Sequence, residues 1–349
     1  MKISEFYTYA PKSKIKAGDA NPKGCYQFFA SSPDKHRRCD EAIYNSSAII
    51  MGTGGGATIH YYDGKFSTST DCLVLIPKDN INPKYLYYVF LGNFDYLKSG
   101  FHGAGLQHTS KAHIDNLEIN NIPSLQTQEK IVELFDKLEK AISDKQRQLS
   151  RLDDLVKARF VEMFGDGYSE DTLLNLCKII DYRGKTPEKA SSGLPFITAK
   201  NVKMHYLCEE PKEYISKETY DKVMVRGFPK EGDVIFTTEA PLGNVCRIPH
   251  FETEFYIGQR IVTMQTTTLE PTYLEYALSS DDFIRKYMQK SSGSTVVGIR
   301  VRLLEQLTIP VPPIELQKQF ATFVNQVDKS KFAVNHQCYL LKAISHFVI

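Results

Sequence analysis

The sequence predicts an α+β protein in which two pseudo-repeated mixed α/β units are separated by a long antiparallel two-helix coiled coil. Three observations predict it. The chain has 349 residues, 42% of them hydrophobic, which suffices for the cores of two or three domains. A pattern of strands, turns and a proline-led helix occurs twice, about 185–190 residues apart. After each copy the pattern changes to apolar residues spaced seven apart, over a stretch long enough for a rod.

The first unit occupies residues 1–123. Phe28-Phe29-Ala30-Ser31 and Ala48-Ile49-Ile50-Met51 read as strands, the second running into Gly52-Thr53-Gly54-Gly55-Gly56. Those glycines form a hairpin turn, because Ala57-Thr58-Ile59-His60-Tyr61-Tyr62 alternates like another strand. Cys72 to Pro77 is an apolar strand, and Pro83-Lys84-Tyr85-Leu86 opens a helix with proline in its first turn. A Gly/Ser loop from Ser99 to Gly105 and a short strand from Leu117 to Pro123 close the unit.

Residues 124–164 form the first rod. No Gly or Pro occurs from Gln126 to Phe164, and Phe135, Ile142, Leu149, Val156 and Met163 fall seven apart, interrupted by Lys145 and Arg159. At 1.5 Å per residue, about 38 residues give a rod of roughly 57 Å, with Gly165 as its C-terminal cap. The second unit, residues 165–312, repeats the plan: Pro195 to Ala199, Asp233 to Thr238, the turn Ala240 to Asn244, Ile261 to Met264, Pro271-Thr272-Tyr273-Leu274, the loop Ser291 to Thr295 and a closing strand from Leu307 to Pro313. The last rod, residues 313–349, places Phe320, Val327, Val334, Leu341 and Val348 seven apart. A single connection through the second unit makes the rods antiparallel when they pair.

Charge and cysteine content narrow the function. With 43 Lys+Arg against 41 Asp+Glu the net charge is +2, which excludes a tail-like basic DNA coat and an acidic disordered chain. Seven scattered cysteines without a C-x-x-C pair argue for reduced thiols in the cytoplasm, and no stretch approaches the roughly 18 apolar residues of a membrane span. Catalytic motifs fail on inspection. Gly184-Lys185-Thr186 ends like a phosphate loop but has Ile179 where the first glycine belongs, so it is a polar turn. The nine histidines contain no H-E-x-x-H, and Asn82-Pro83-Lys84-Tyr85 lacks the second proline of an amino-methyltransferase tetrad. The one E-x-K, at Glu210-Pro211-Lys212, has no convincing acidic partner before it.

The repeated pattern resembles the specificity subunits of type I restriction-modification systems. The pieces that carry the resemblance are Phe228-Pro229-Lys230-Glu231-Gly232-Asp233-Val234-Ile235-Phe236 and Ile309-Pro310-Val311-Pro312-Pro313-Ile314-Glu315-Leu316-Gln317, with Leu125-Gln126-Thr127-Gln128-Glu129-Lys130-Ile131 as a weaker first copy. The resemblance implies two target-recognition domains, each reading one half of a split site in double-stranded DNA, joined by helices that act as a ruler. It implies as partners two modification (methyltransferase) subunits and restriction subunits that translocate and cut DNA. This chain then holds no cofactor itself; S-adenosylmethionine, ATP and Mg are expected on the partners. Lengthening the rod after Gln148 by one or two turns is expected to widen the tolerated gap between half-sites.

Candidate DNA contacts lie in loops. In the first unit they are Lys35, His36, Arg37, Arg38, Gly54, Gln107, His108 and Lys111; in the second, Arg183, Lys185, Lys200, Asn201, Gln259, Arg260, Arg300 and Arg302. Arg and Gln suit bidentate contact with base edges, and Lys suits phosphate. Residues 1–123 carry 13 basic against 11 acidic side chains and residues 165–312 carry 18 against 20, so the cations must be concentrated on one face or supplemented by partners. Two other readings stand beside this one: a stand-alone restriction or methyltransferase enzyme, and a coiled-coil scaffold that does not read DNA.

Overall fold

The computed structural model describes residues 1–184, 187–293 and 296–348, with side chains described as far as Leu341. Lys185 and the side chain of Val348 lie outside the described residues. The chain divides into two compact units, residues 1–147 with 335–349 and residues 148–334. No described helix is long and apolar enough to cross a membrane.

Unit one is built on strands β1 (Tyr7–Tyr9), β2 (Tyr26–Phe29), β3 (Arg38–Cys39), β4 (Tyr44–Gly52), β5 (Thr58–Thr68) and β6 (Cys72–Pro77). They form one sheet in the order β1-β6-β4-β5-β2-β3, with only β2 and β5 parallel. Both faces of β4 are covered. Ile49 and Met51 point into a core with Ile3, Leu86, Phe90 and Phe135, while Ala48 and Ile50 face Phe29, Phe66 and Val74. Helices α1 (Pro83–Gly92), α2 (Phe94–Ser99) and α3 (Lys111–Asp115) follow. The expected strand from Leu117 to Pro123 is reduced to a single bridge, Lys2 to Glu118, because the partner segment leaves the ladder at once for a 3-10 turn over Ile3–Phe6.

Helix α4 (Leu125–Phe164) runs 40 residues, and its first half contributes Phe135 to the core of unit one. Unit two continues with β7 (Glu170–Thr172), α5 (Leu173–Leu176), β8 (Lys178–Asp181), β9 (Leu194–Ile197), β10 (Val202–Lys203), β11 (Tyr206–Leu207), β12 (Tyr214–Ile215), α6 (Lys217–Val223), β13 (Val234–Thr237), β14 (Val245–Arg247), β15 (Tyr256–Ile257) and β16 (Ile261–Gln265). Then come α7 (Pro271–Leu278), α8 (Asp281–Lys290), α9 (Val301–Leu304), β17 (Thr308–Pro310) and α10 (Ile314–Val348). Here the closing strand forms over Thr308–Pro310 of the expected Leu307 to Pro313, β17 pairing with β7.

The pairing registers make the two sheets superposable in plan. The ladder β8-β16-β13-β14 repeats β1-β6-β4-β5, and β12-β9-β15 repeats β3-β2-β5. One strand differs. In unit one β5 runs unbroken for 11 residues and serves both ladders, whereas in unit two the same job is split between β14 and β15, so the sheet divides in two.

A repeated side-chain clamp ties each unit to its long helix. Asn82 caps α1 by accepting from the amides of Lys84 and Tyr85, and its own N–H donates to Gln128 Oε1 at 2.7 Å. Gln128 in turn donates to the Pro123 carbonyl at 2.8 Å. In unit two Glu270 caps α7, its N–H donates to Gln317 Oε1 at 2.9 Å, and Gln317 donates to the Pro312 carbonyl at 2.7 Å. Both glutamines are 1% exposed, so each amide spends its hydrogen bonds on backbone and not on water.

Within unit two α4 and α10 are antiparallel. The Phe160 and Phe164 rings meet Phe320 at 5.5 Å, and further along α10 Lys331 pairs with the earlier Asp153 at 2.7 Å. Val156, Phe320, Val327 and Val334 are buried as their spacing predicts, and Met163 packs at the edge of this core. The seam departs from the strict heptad elsewhere. Ile142, Leu149 and Leu341 are only half-buried, while Phe160, Phe164, Val324 and Cys338 are covered. An unsupercoiled helix drifts off a seven-residue repeat, which brings the neighbouring apolar positions into the seam.

Candidate nucleic-acid interface

Four segments converge at one end of each sheet, and the same backbone hydrogen bonds hold them in both units. In unit one the turn after β4 donates from Thr53 N–H to the Asp71 carbonyl, just before β6, at 2.8 Å. The strap after α2 lies across that turn: Thr109 N–H donates to the Thr53 carbonyl and Gly55 N–H to the Gln107 carbonyl. In unit two Thr238 N–H donates to the Arg260 carbonyl at 2.8 Å, and Ile299 N–H to the Thr238 carbonyl at 2.9 Å. Single bridges match as well. Gly54 and His102 each bridge His108; Glu239 and Ser292 each bridge Gly298. The backbone fixes where the loops meet, and side chains are free to differ.

In unit one the loop after β2 completes the cluster. The Ser31 hydroxyl donates to the Gly54 carbonyl and accepts from its N–H, and the Ser32 carbonyl lies 2.9 Å from His60 Nε2. Gln27 donates to the carbonyls of Lys35 and Arg37, which holds the basic run Lys35 to Arg38 on the surface. Arg37 pairs with Asp34 at 3.5 Å. His60 is 3% exposed against the Phe29 ring, and burial pushes its pKa below the usual histidine value, with nearby Lys35 adding to the effect. Gln107 and His108 are exposed on the strap, and Lys111 stands 4.2 Å over the Tyr9 ring.

In unit two Lys200, Gln259 and Arg260 come together around a concavity of about 280 Å³, with Thr198, Ala199 and Ala240 on its walls. Arg260 Nε is held by Glu239 at 2.9 Å, both side chains remaining about half exposed. Arg300 is the residue before α9 and Arg302 lies in that helix, both exposed and without an ion-pair partner among the described residues. Arg183 sits in the turn after β8, its Nε paired with Asp181 at 3.0 Å and its carbonyl bound by Arg226.

Two expected contacts are corrected. Asn201 is 2% exposed, and its side chain accepts from Thr198 and donates to the carbonyls of Cys208 and Pro211, so it builds the loop that carries Lys200. Gly54 is buried, with Ser31 on its backbone and the His108 ring 3.3 Å from where a Cβ would stand. The exposed glycines of that turn are Gly55 and Gly56. Sequence reasoning missed Ser31 and Glu239. Ser31 ends a quoted motif and Glu239 lies beside one, but only the fold shows that the first staples two loops and the second holds Arg260.

Comparison with known proteins gives this geometry its context. The model of the type I restriction modification DNA specificity domain matches residues 1–152 and again residues 167–340. The MjaVIII specificity subunit of the type I restriction enzyme of Methanocaldococcus jannaschii is 22% identical, over 82% of this chain and 74% of its own length. The MjaIX specificity subunit from the same organism is 20% identical, over 96% of this chain and 86% of its own. The crystal structure of a type-I restriction-modification S subunit from M. genitalium aligns with all of this chain and 94% of its own, with a TM-score of 0.60 at 14% identity. A chain from a study of complex assembly and conformational transition in a type I R-M system aligns over 100% and 95%, with a TM-score of 0.57 at 18% identity. At those identities the two structures speak for the fold.

Proposed function

Because the chain belongs to the type I restriction modification DNA specificity family, we propose that it recognises a bipartite DNA sequence, each unit reading one half-site through its four-segment loop cluster. The observation that carries this is the duplicated wiring: matching backbone hydrogen bonds at Thr53 and Thr109 and at Thr238 and Ile299 hold straps with unlike side chains, Gln107 and His108 against Val297 and Gly298. A scaffold that sets position while loops set chemistry is what reading two different half-sites requires.

The chain reads DNA and leaves methylation and cleavage to its partners. Modification subunits carrying S-adenosylmethionine and restriction subunits using ATP and Mg supply that chemistry. The long helices are the docking elements for them. Phe332 and Tyr339 on α10 are 76% and 70% exposed, large apolar side chains each suited to contact with a protein partner. The partners also supply part of the grip on DNA, since neither unit is strongly basic.

Methylome mapping of cells carrying the chain with its modification subunit tests this reading. The gene product is expected to direct one bipartite motif, lost on deletion. Arg300→Ala with Arg302→Ala is expected to weaken DNA binding at constant fold and to reduce the slope of log K against log salt by about 1 per phosphate contact removed. Deletion without any change in methylation, or methylation by the purified chain alone, overturns the proposal.

A further inference from the structure

The loop end of unit two contains an apolar groove beside its cationic concavity. Ala240, Pro241 and Leu242 of the β13–β14 turn form one wall; Met288 of α8 with Val296 and Val297 of the strap form the other, around about 440 Å³. Met288, Val296 and Val297 are 50%, 51% and 41% exposed. Surface of this kind gains when apolar matter covers it. Ala240 also lines the concavity of Lys200, Gln259 and Arg260, so the groove adjoins those residues. The turn is fixed: Gly243 has a φ of 92° and lies so close under the Tyr287 hydroxyl that no Cβ fits. Unit one places different groups here. Gln107 and His108 stand where unit two has Val297 and Gly298.

We propose that this groove receives the edge of a thymine in the major groove of DNA, its 5-methyl group against Met288 and Val296. The apolar strap is then a specificity determinant for the half-site read by unit two, and the inference rests on the DNA-reading function proposed above. The thymine methyl is the one apolar group that a base pair presents in that groove. The adjoining Lys200, without an ion-pair partner among the described residues, attracts a phosphate that flanks such a base, which favours DNA over a protein as the occupant.

Deoxyuridine, which is thymidine without the methyl, tests this on the full chain bound to its modification subunit. Duplexes carrying the mapped motif, with each thymine replaced in turn, are titrated by fluorescence anisotropy against wild type and the Met288→Gln, Val296→Ser variant. At one thymine the replacement is expected to weaken wild-type binding roughly three- to ten-fold, the range for one apolar contact. The variant is expected to bind thymine and uracil duplexes equally there. Uracil tolerated at every position, an effect undiminished in the variant, or a motif without thymine overturns the inference. So does a variant that sheds its modification subunit while keeping the uracil effect, since the groove then serves a protein. Wild type that prefers its motif no more than scrambled DNA overturns the DNA-reading function instead.

Discussion

At matching positions of the two units one scaffold holds opposite chemistry. Tyr61 on β5 and Tyr87, the fifth residue of α1, bring their rings within 6.0 Å in unit one. Strand register and helix position put Arg247 and Glu275 in the same places in unit two. There Arg247 Nε donates to Glu275 Oε2 at 2.7 Å, and His205 Nδ1 lies 2.9 Å from the other carboxylate oxygen. Glu275 is 1% exposed, so its carboxylate oxygens depend on those two partners for their hydrogen bonds. The glutamine clamps, by contrast, are the same in both units down to the carbonyl each one binds. Wiring that positions the backbone is duplicated, whereas the pair filling a given gap between sheet and helix is a local solution.

The largest expected effect breaks the ion pair. Glu275→Leu leaves the partly exposed Arg247 and His205 without their shared carboxylate and is expected to cost unit two about 3 kcal/mol, read as faster hydrogen exchange in α7. Adding Arg247→Leu is expected to restore most of it; no recovery means that the carboxylate, and not the pair, is what the helix needs. Gln128→Ala and Gln317→Ala come next, each about 2 kcal/mol, since each leaves a part-buried helix-start N–H and a proline carbonyl without the side chain that pairs them. Exchange at the amides of Asn82 and Glu270 reads the loss site by site. A clear inequality between the two units would break the claim that the clamps are equivalent.

The smallest effect is a difference in pH response. His60 and Cys246 occupy the same register position, opposite Ile50 and Ile235. Burial holds the His60 pKa below its ordinary value and pushes the Cys246 thiol up to about 12. A histidine that stays neutral when folded but takes a proton when unfolded stabilises the fold fully above about pH 6.5. That stability is lost as pH falls from there through the lowered folded pKa. Unit one is therefore expected to lose protection between about pH 7 and pH 5, and His60→Asn to flatten the loss, whereas Cys246 stays neutral over that range in both states. Hydrogen exchange at the two pH values, resolved by unit, checks it.

Much of this was legible in the sequence because it is written in periods and caps. Proline at the first position of α1 and α7, the strand spacing and the two glycine- and proline-free rods follow from local rules, and each rod forms a continuous helix. The Gln128 and Gln317 motifs were visible as residues but not as clamps, because their partners lie 46 and 47 positions away. Asn201 has the side chain of a base reader, and only burial shows that its own loop consumes it. Phe160 and Phe164 fall off the seven-residue ladder, which an idealised period does not see. The loop contacts were locatable in part: Lys200 meets the adjacent Gln259 and Arg260 across two separate segments, while Arg183 turns to its own Asp181.

The clamps also determine where the chain can be recombined. Asn82 and Gln128, like Glu270 and Gln317, form one fastening split across the loop that leads into a rod. A chimaera joined at the prolines, before Gln128 or Gln317, brings the helix start from one parent and the amide from the other. Crossovers placed one turn inside the rods move both halves of each fastening together, so the transplanted unit arrives with the bond that sets its own footing.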